Sequence, residues 1–109
     1  MKLIIAIIHD EDAHNLIEQL MDQNYRVTKL ASTGGFLKSG NTTLLIGVEK
    51  EKVDAVIEII RNTCESRKEI APAPTPMMGG TGVFMTYPIE VQVGGATVFV
   101  LDVDRFEKV

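Results

Sequence analysis

The sequence predicts an α+β domain: an antiparallel sheet with two helices on one face and an extra strand at the C-terminal end. Three observations carry this. Apolar runs of strand length and two stretches of helical period follow one another as strand, helix, strand, strand, helix, strand, strand. Leu3–Ile8, Leu44–Ile46 and Val98–Leu101 are apolar at consecutive positions, the pattern of strands buried on both faces. The 109 residues fit one domain spanning 1–109, and 45% hydrophobic with 24% charged residues excludes a disordered chain.

Leu3–Ile8 is short, rich in isoleucine and uninterrupted, which makes it a strand. Asp10, Glu11 and Asp12 then supply an N-cap candidate and first-turn acids, favourable at the positive end of a helix dipole. Ala13, Leu16, Ile17, Leu20 and Met21 follow at i, i+3, i+4, i+7 and i+8, an amphipathic helix that ends near Asn24. Tyr25–Thr33 forms a second strand, stopped by Gly34 and Gly35. Thr42–Val48 is a third, with its apolar centre at Leu44, Leu45 and Ile46. Val53, Val56, Ile57, Ile60 and Cys64 make one stripe of a second helix over 50–64.

The segment Ser66–Tyr87 fits no period and holds Pro72, Pro74, Pro76 and the Gly79–Gly80 pair, so it reads as a long loop. Ile89, Val91 and Val93 alternate with polar residues as a half-exposed strand. Gly94–Gly95 then reads as a tight hairpin turn into a last strand, Ala96–Leu101. The first six elements make the ferredoxin-like βαββαβ arrangement. Two helices cover one face of such a sheet, yet the strands are apolar on both. Another copy of the chain is the simplest cover for the second face, so a homo-oligomer is expected.

Lys plus Arg total 11 and Asp plus Glu total 15, a formal charge of −4. That excludes a protein whose main task is gripping a nucleic acid polymer through its phosphates. The apolar run behind Lys2 ends at His9, too short for a signal peptide or a membrane span, and the single Cys64 suits a reducing cytoplasm; no membrane association is expected. Cys64 lies late in a helical stripe and reads as a small apolar residue.

Three features are candidates for chemistry. The run from His9 to His14 brings two imidazoles and three carboxylates together, but without a standard metal-ligand spacing. It reads as a strand end and a helix start, with both histidines solvated. Gly35–Thr42 resembles a phosphate-binding loop at a glance, yet Asn41 stands where lysine is required and the run lies between two strands. NTP hydrolysis is therefore rejected, while Phe36 and Leu37 at a loop tip call for something to dock on them. Third, residues 24–48 hold Arg26, Lys29 and Lys38 and no acid, +3 against −7 for the rest. With glycine amides, Thr28, Asn41 and Phe36 nearby, this basic stretch suits a small anionic aromatic ligand. No nucleophile–base arrangement is marked, so a binding module is expected rather than an enzyme.

The stretch Asn24–Thr43, with its Arg26-x-Thr28-Lys29-Leu30-x-x-Thr33-Gly34-Gly35-Phe36-Leu37 run, resembles the signature of the PII-like cyclic-di-AMP receptor family. So do Thr75–Met77, Tyr87–Pro88 and Val93–Leu101, and the likeness spans essentially the whole chain. The resemblance implies a trimeric, PII-like assembly of ferredoxin-like subunits, with cyclic di-AMP at each subunit interface, no catalytic activity, no metal and no other cofactor. It implies a short loop near 34–41 and a long one near 66–87 that become ordered with ligand, and a downstream protein partner left unidentified. The ligand contacts it implies are Asn24, Arg26, Thr28, Gly35, Phe36, Leu37, Asn41, Gly47 and Phe99. Arg26 and Thr28 would donate to a phosphate or base, Gly35 and its neighbours would offer amides, Phe36 and Leu37 would sandwich an adenine, and Asn41 would read its edge. A side chain at Gly47 would block close approach. The alternative within the same architecture is an ordinary PII sensor of ATP or 2-oxoglutarate.

Overall fold

The computed structural model describes residues 1–30, 40–76 and 84–109, with 71–76 and 84–87 described by their backbone. Strand β1 (Lys2–His9) leads into helix α1 (Asp10–Asp22), followed by strands β2 (Val27–Leu30) and β3 (Asn41–Val48). A short 3-10 turn at Lys50–Lys52 opens helix α2 (Val53–Cys64), and strands β4 (Arg67–Pro76), β5 (Phe84–Val93) and β6 (Ala96–Asp102) complete the order. β2, β3, β1 and β6 lie side by side in that order, each antiparallel to its neighbour, which is the ferredoxin-like arrangement.

The strands are two-faced. Ile4, Ala6 and Ile8 of β1 and Leu44, Ile46 and Val48 of β3 point toward the helices and are buried. They meet Leu16 and Leu20 of α1 and Val56, Ile60 and Cys64 of α2 in one core. Leu3, Ile5 and Leu45 alternate with them and are only half-buried. Among the described residues no helix covers that second face, so the continuous apolar runs belong to a sheet with one sealed and one open side.

α1 begins at Asp10 with His9 as its N-cap in extended conformation and no side-chain cap hydrogen bond, so Asp10 is not the cap expected. Its carboxylate is engaged by Thr42 instead. At the other end Asn24 adopts φ 68° and donates its N–H to the Met21 carbonyl at 2.9 Å. Asparagine tolerates this left-handed geometry better than most residues, and it stops the helix where the sequence placed the stop.

The region after α2 differs from the sequence expectation. Much of the segment read as a long loop over 66–87 is a strand: β4 pairs with β5 over ten rungs, from Arg67 opposite Val93 to Pro76 opposite Phe84. Three prolines in alternate positions hid it. Pro72 lies opposite Pro88, and neither has an N–H, so that rung is a non-hydrogen-bonded one. Pro74 and Pro76 share its parity, and all three leave the ladder intact by turning the missing donor outward. Residues 77–83 lie outside the described ones.

The strand over Ile89–Val93 therefore belongs to a separate two-stranded ribbon, and the sheet's fourth strand is β6. Gly94 and Gly95 do not close a hairpin between β5 and β6. With φ of 80° and 98° they turn the chain from the ribbon into the main sheet, and the Gly95 N–H donates to the Cys64 carbonyl. Val103 N–H donates to the Met1 carbonyl at 3.2 Å, extending the contact between β1 and the chain that leaves β6.

Candidate functional site

Residues directly opposite each other in antiparallel strands share a face. Thr28 lies opposite Leu45, Leu45 opposite Ile5, and Ile5 opposite Phe99, so these four form one row across the open side. Gly47, Leu3 and Leu101 form the next row, and Arg26 enters just before β2 at the same end.

A hollow of about 820 Å³ opens there. Leu3 and Leu45 form its apolar floor, Arg26 and Thr28 one wall, and Phe106 and Lys108 of the C-terminal segment another, with Met1 and Val103 at the rim. Gly47 completes the floor: a Cβ built there meets nothing within 4 Å, so the absent side chain leaves the hollow open rather than relieving a clash. None of the described lining residues is acidic, and Arg26 and Lys108 bring two cations to one opening. An apolar floor, an exposed aromatic ring and two cations suit a flat anionic ligand.

The structure thus brings Arg26, Thr28 and Gly47 together. Asn41 shares their face but begins β3 six residues before Gly47, roughly 20 Å away at a strand's rise per residue. Phe99 is half exposed on β6, the opposite edge of the sheet from β2. Three strand spacings separate it from Thr28, roughly 14 Å. Asn24 is exposed at the end of α1 and does not line the hollow. Gly35, Phe36 and Leu37 lie outside the described residues.

Sequence reasoning missed Leu3, Leu45, Phe106 and Lys108. The odd-numbered positions of β1 and β3 carried a signal, since their apolar character had to be covered by something. Phe106 and Lys108 carried none, because only the path of the chain after β6 returns them to the sheet.

Asp10 fixes the start of β3. Its carboxylate accepts from Thr42 Oγ1 at 2.5 Å, and its N–H donates to the Gly40 carbonyl at 3.1 Å. A Cβ at Gly40 would fall 2.1 Å from Asp10 Oδ2, so glycine is required for this close approach. The other members of the acidic run go separate ways. Asp12 binds Arg67, His14 lies 3.4 Å from Glu18 on the solvent side of α1, and His9 ends β1. Among the described residues, no three His, Cys, Asp or Glu side chains gather as a metal site would need.

Cys64 is a free thiol in the core, as its place in the helical stripe implied. Burial, aided by the nearby Asp12 carboxylate and opposed by Arg67, pushes its pKa up from 9.0 to about 11. Among the described residues, no helix is long and apolar enough to cross a membrane.

A family model described as a cyclic-di-AMP receptor matches residues 1–109, the whole length of the chain. Among solved structures, the crystal structure of a functionally unknown protein from Pediococcus pentosaceus ATCC 25745 is similar, with 53% sequence identity and a TM-score of 0.78. The match covers 99% of this chain and 96% of that one.

Proposed function

The chain belongs to the cyclic-di-AMP receptor family, and from that premise we propose that it is a non-enzymatic cytoplasmic signal receptor that binds cyclic di-AMP between the subunits of a homotrimer. The observation that carries this is the convergence of Arg26, Thr28, Gly47 and Lys108 on an acid-free hollow in the uncovered face of the sheet. Cyclic di-AMP carries two phosphodiesters and two adenines. Arg26 and Lys108 answer the phosphates with charge-assisted hydrogen bonds, Thr28 donates beside Arg26, and Leu3 and Leu45 form a floor for a base. Asn24 and Asn41, which lie outside the hollow of their own chain, and Gly35, Phe36 and Leu37 are the further contacts we propose, with the Phe36 ring as a stacking partner for the second adenine.

The position of Phe99 supports an interface site. In one chain it stands an entire sheet width from Thr28, whereas Phe99 of a second copy is free to approach the hollow. Leu30, Phe99 and Leu101 are each close to half exposed at the two sheet edges, and contact between copies would remove them from water. Ligand capture would order the segments flanking the site and alter the surface offered to a downstream protein.

Isothermal titration with cyclic di-AMP, cyclic di-GMP and ATP tests the proposal. We expect tight binding of cyclic di-AMP, far weaker binding of cyclic di-GMP, and no displacement by ATP or 2-oxoglutarate. Equal affinity for both dinucleotides, or binding of neither, overturns it. Light scattering checks the assembly, which at three chains of 12.0 kDa should weigh about 36 kDa.

A further inference from the structure

The first turn of α1 is held from two sides. Asp10 grips the end of the glycine-rich segment through Gly40 and Thr42, as described above. Two residues on, Asp12 grips the root of the β4–β5 ribbon. Its side chain is 8% exposed, and its Oδ1 accepts from Arg67 Nη2 at 3.0 Å. Asp12 Oδ2 is buried without a hydrogen-bond partner, so among the described residues Arg67 is what balances this carboxylate.

Arg67 is itself held to the chain just before and within β4. Its Nη1 donates to the Glu65 carbonyl at 3.1 Å, and its Nε lies 3.4 Å from Glu69. On the returning strand, a Cβ at Gly94 would sit 2.6 Å from Arg67 Nη1 and 2.7 Å from the Glu65 carbonyl. The two ends of the ribbon and the guanidinium therefore form one tight joint. Beyond this joint β4 and β5 contact chiefly each other.

We propose that the first turn of α1 is a mechanical relay that ties the Gly40–Thr42 start of β3, which holds the proposed contact Asn41, to the orientation of the β4–β5 ribbon. This rests on the nucleotide site proposed above. A shift of Gly40–Thr42 when ligand is captured moves Asp10. The turn is stiffened by helical hydrogen bonds, so Asp12 moves with it. A buried carboxylate does not release its cationic partner without leaving an uncompensated charge, so Arg67 follows and carries the ribbon root along. By linkage the coupling runs both ways: what holds the ribbon also biases the nucleotide site.

Amide hydrogen exchange on the full-length protein tests the relay with and without cyclic di-AMP. In the ligand-free protein, Arg67→Ala should speed exchange at Glu69 and Val91, whose amides lie on a hydrogen-bonded rung, and also at Asn41–Thr43, by about fivefold or more, the lower end of typical couplings. Thr42→Ala should do the same in the opposite direction. The relay is overturned if each variant loosens only its own end. Arg67→Lys, which keeps the charge but loses the fork of donors, repeats the measurement should the alanine variant fold poorly. With ligand, exchange at Glu69 and Val91 should change in the wild type and not in Arg67→Ala. A ligand that leaves the ribbon root unchanged while it binds also overturns the relay. Failure of cyclic di-AMP to bind would sink the nucleotide reading instead, and the ligand-free arm would still decide the relay.

Discussion

Side chains of similar character meet opposite fates on the two faces of the β2–β3–β1–β6 sheet. Toward the helices, Ile4, Ala6, Leu44 and Ile46 have no exposed surface. One residue along the same strands, Leu3, Ile5 and Leu45 are half-buried around an open hollow, and Phe99 and Leu101 are 50% and 45% exposed. Apolar identity alone does not separate a stabilising position from a binding position. What packs on the face decides, and among the described residues of a single chain only one face is packed.

The largest expected effect tests that division with neighbouring leucines. Leu44→Ala should cost about 2–5 kcal/mol in urea denaturation, the range for truncating a fully buried leucine. Leu45→Ala, which faces the hollow, should cost about 1 kcal/mol or less while weakening cyclic di-AMP binding. Equal losses of stability would mean that the open face is as tightly packed as the sealed one.

Next in size is Arg26→Ala. Losing a charge-assisted hydrogen bond removes about 1.5–3 kcal/mol of binding, or roughly 10- to 150-fold in affinity. Arg26 is exposed and outside the core, so the melting temperature without ligand should stay close to wild type. Titration calorimetry with wild-type affinity would remove Arg26 from the site.

The same division explains what was legible in the sequence. The helical stripes ending at Asn24 and Cys64, and the three strands that pair as β1, β3 and β6, follow from local periodicity. So did the uncovered face, because Leu3–Ile8 was apolar at every position. The β4–β5 ribbon was hidden, since Pro72, Pro74 and Pro76 signal a break unless the register is known, and register is a property of two strands. The role of Gly94–Gly95 was misjudged for a related reason. Two glycines between strands permit a turn, but only the donation from Gly95 to Cys64 shows which sheet the chain turns toward. Of the proposed contacts that line the hollow, Arg26 and Thr28 were marked by the basic stretch, and Gly47 only by the family resemblance. Phe106 and Lys108 were not, being brought in by the path of the chain after β6.

On the sealed side, Cys64 provides a smaller effect through pH. Its pKa is about 11 in the folded protein against 9.0 for an ordinary thiol, so the folded state holds the proton that the unfolded state releases. The contribution to stability is complete below pH 9 and is lost as pH rises toward 11, at no more than about 1.4 kcal/mol per pH unit. Denaturation midpoints of wild type and Cys64→Ala between pH 8 and pH 11 should therefore converge as pH rises. Parallel curves would show that the thiol is not held protonated by burial.

A small change in stability, of opposite sign, should come from Gly47, and it isolates the open face most cleanly. No positive φ demands glycine there, and an added methyl group meets nothing within 4 Å. Gly47→Ala should leave the fold intact and raise stability by about 0.4–1 kcal/mol, because the unfolded chain loses freedom. The same methyl group projects into the hollow between Arg26 and Leu3, and a leucine at this position would fill much of the space a base needs. Binding of cyclic di-AMP should therefore weaken for Gly47→Ala and fall further for Gly47→Leu, with no loss of stability in the alanine variant. The glycine before β3 shows the reverse: Gly40→Ala would drive a Cβ into Asp10 and lower stability first. If Gly47→Leu binds as the wild type does, the hollow is not where the nucleotide sits, and the open face serves only for contact between copies.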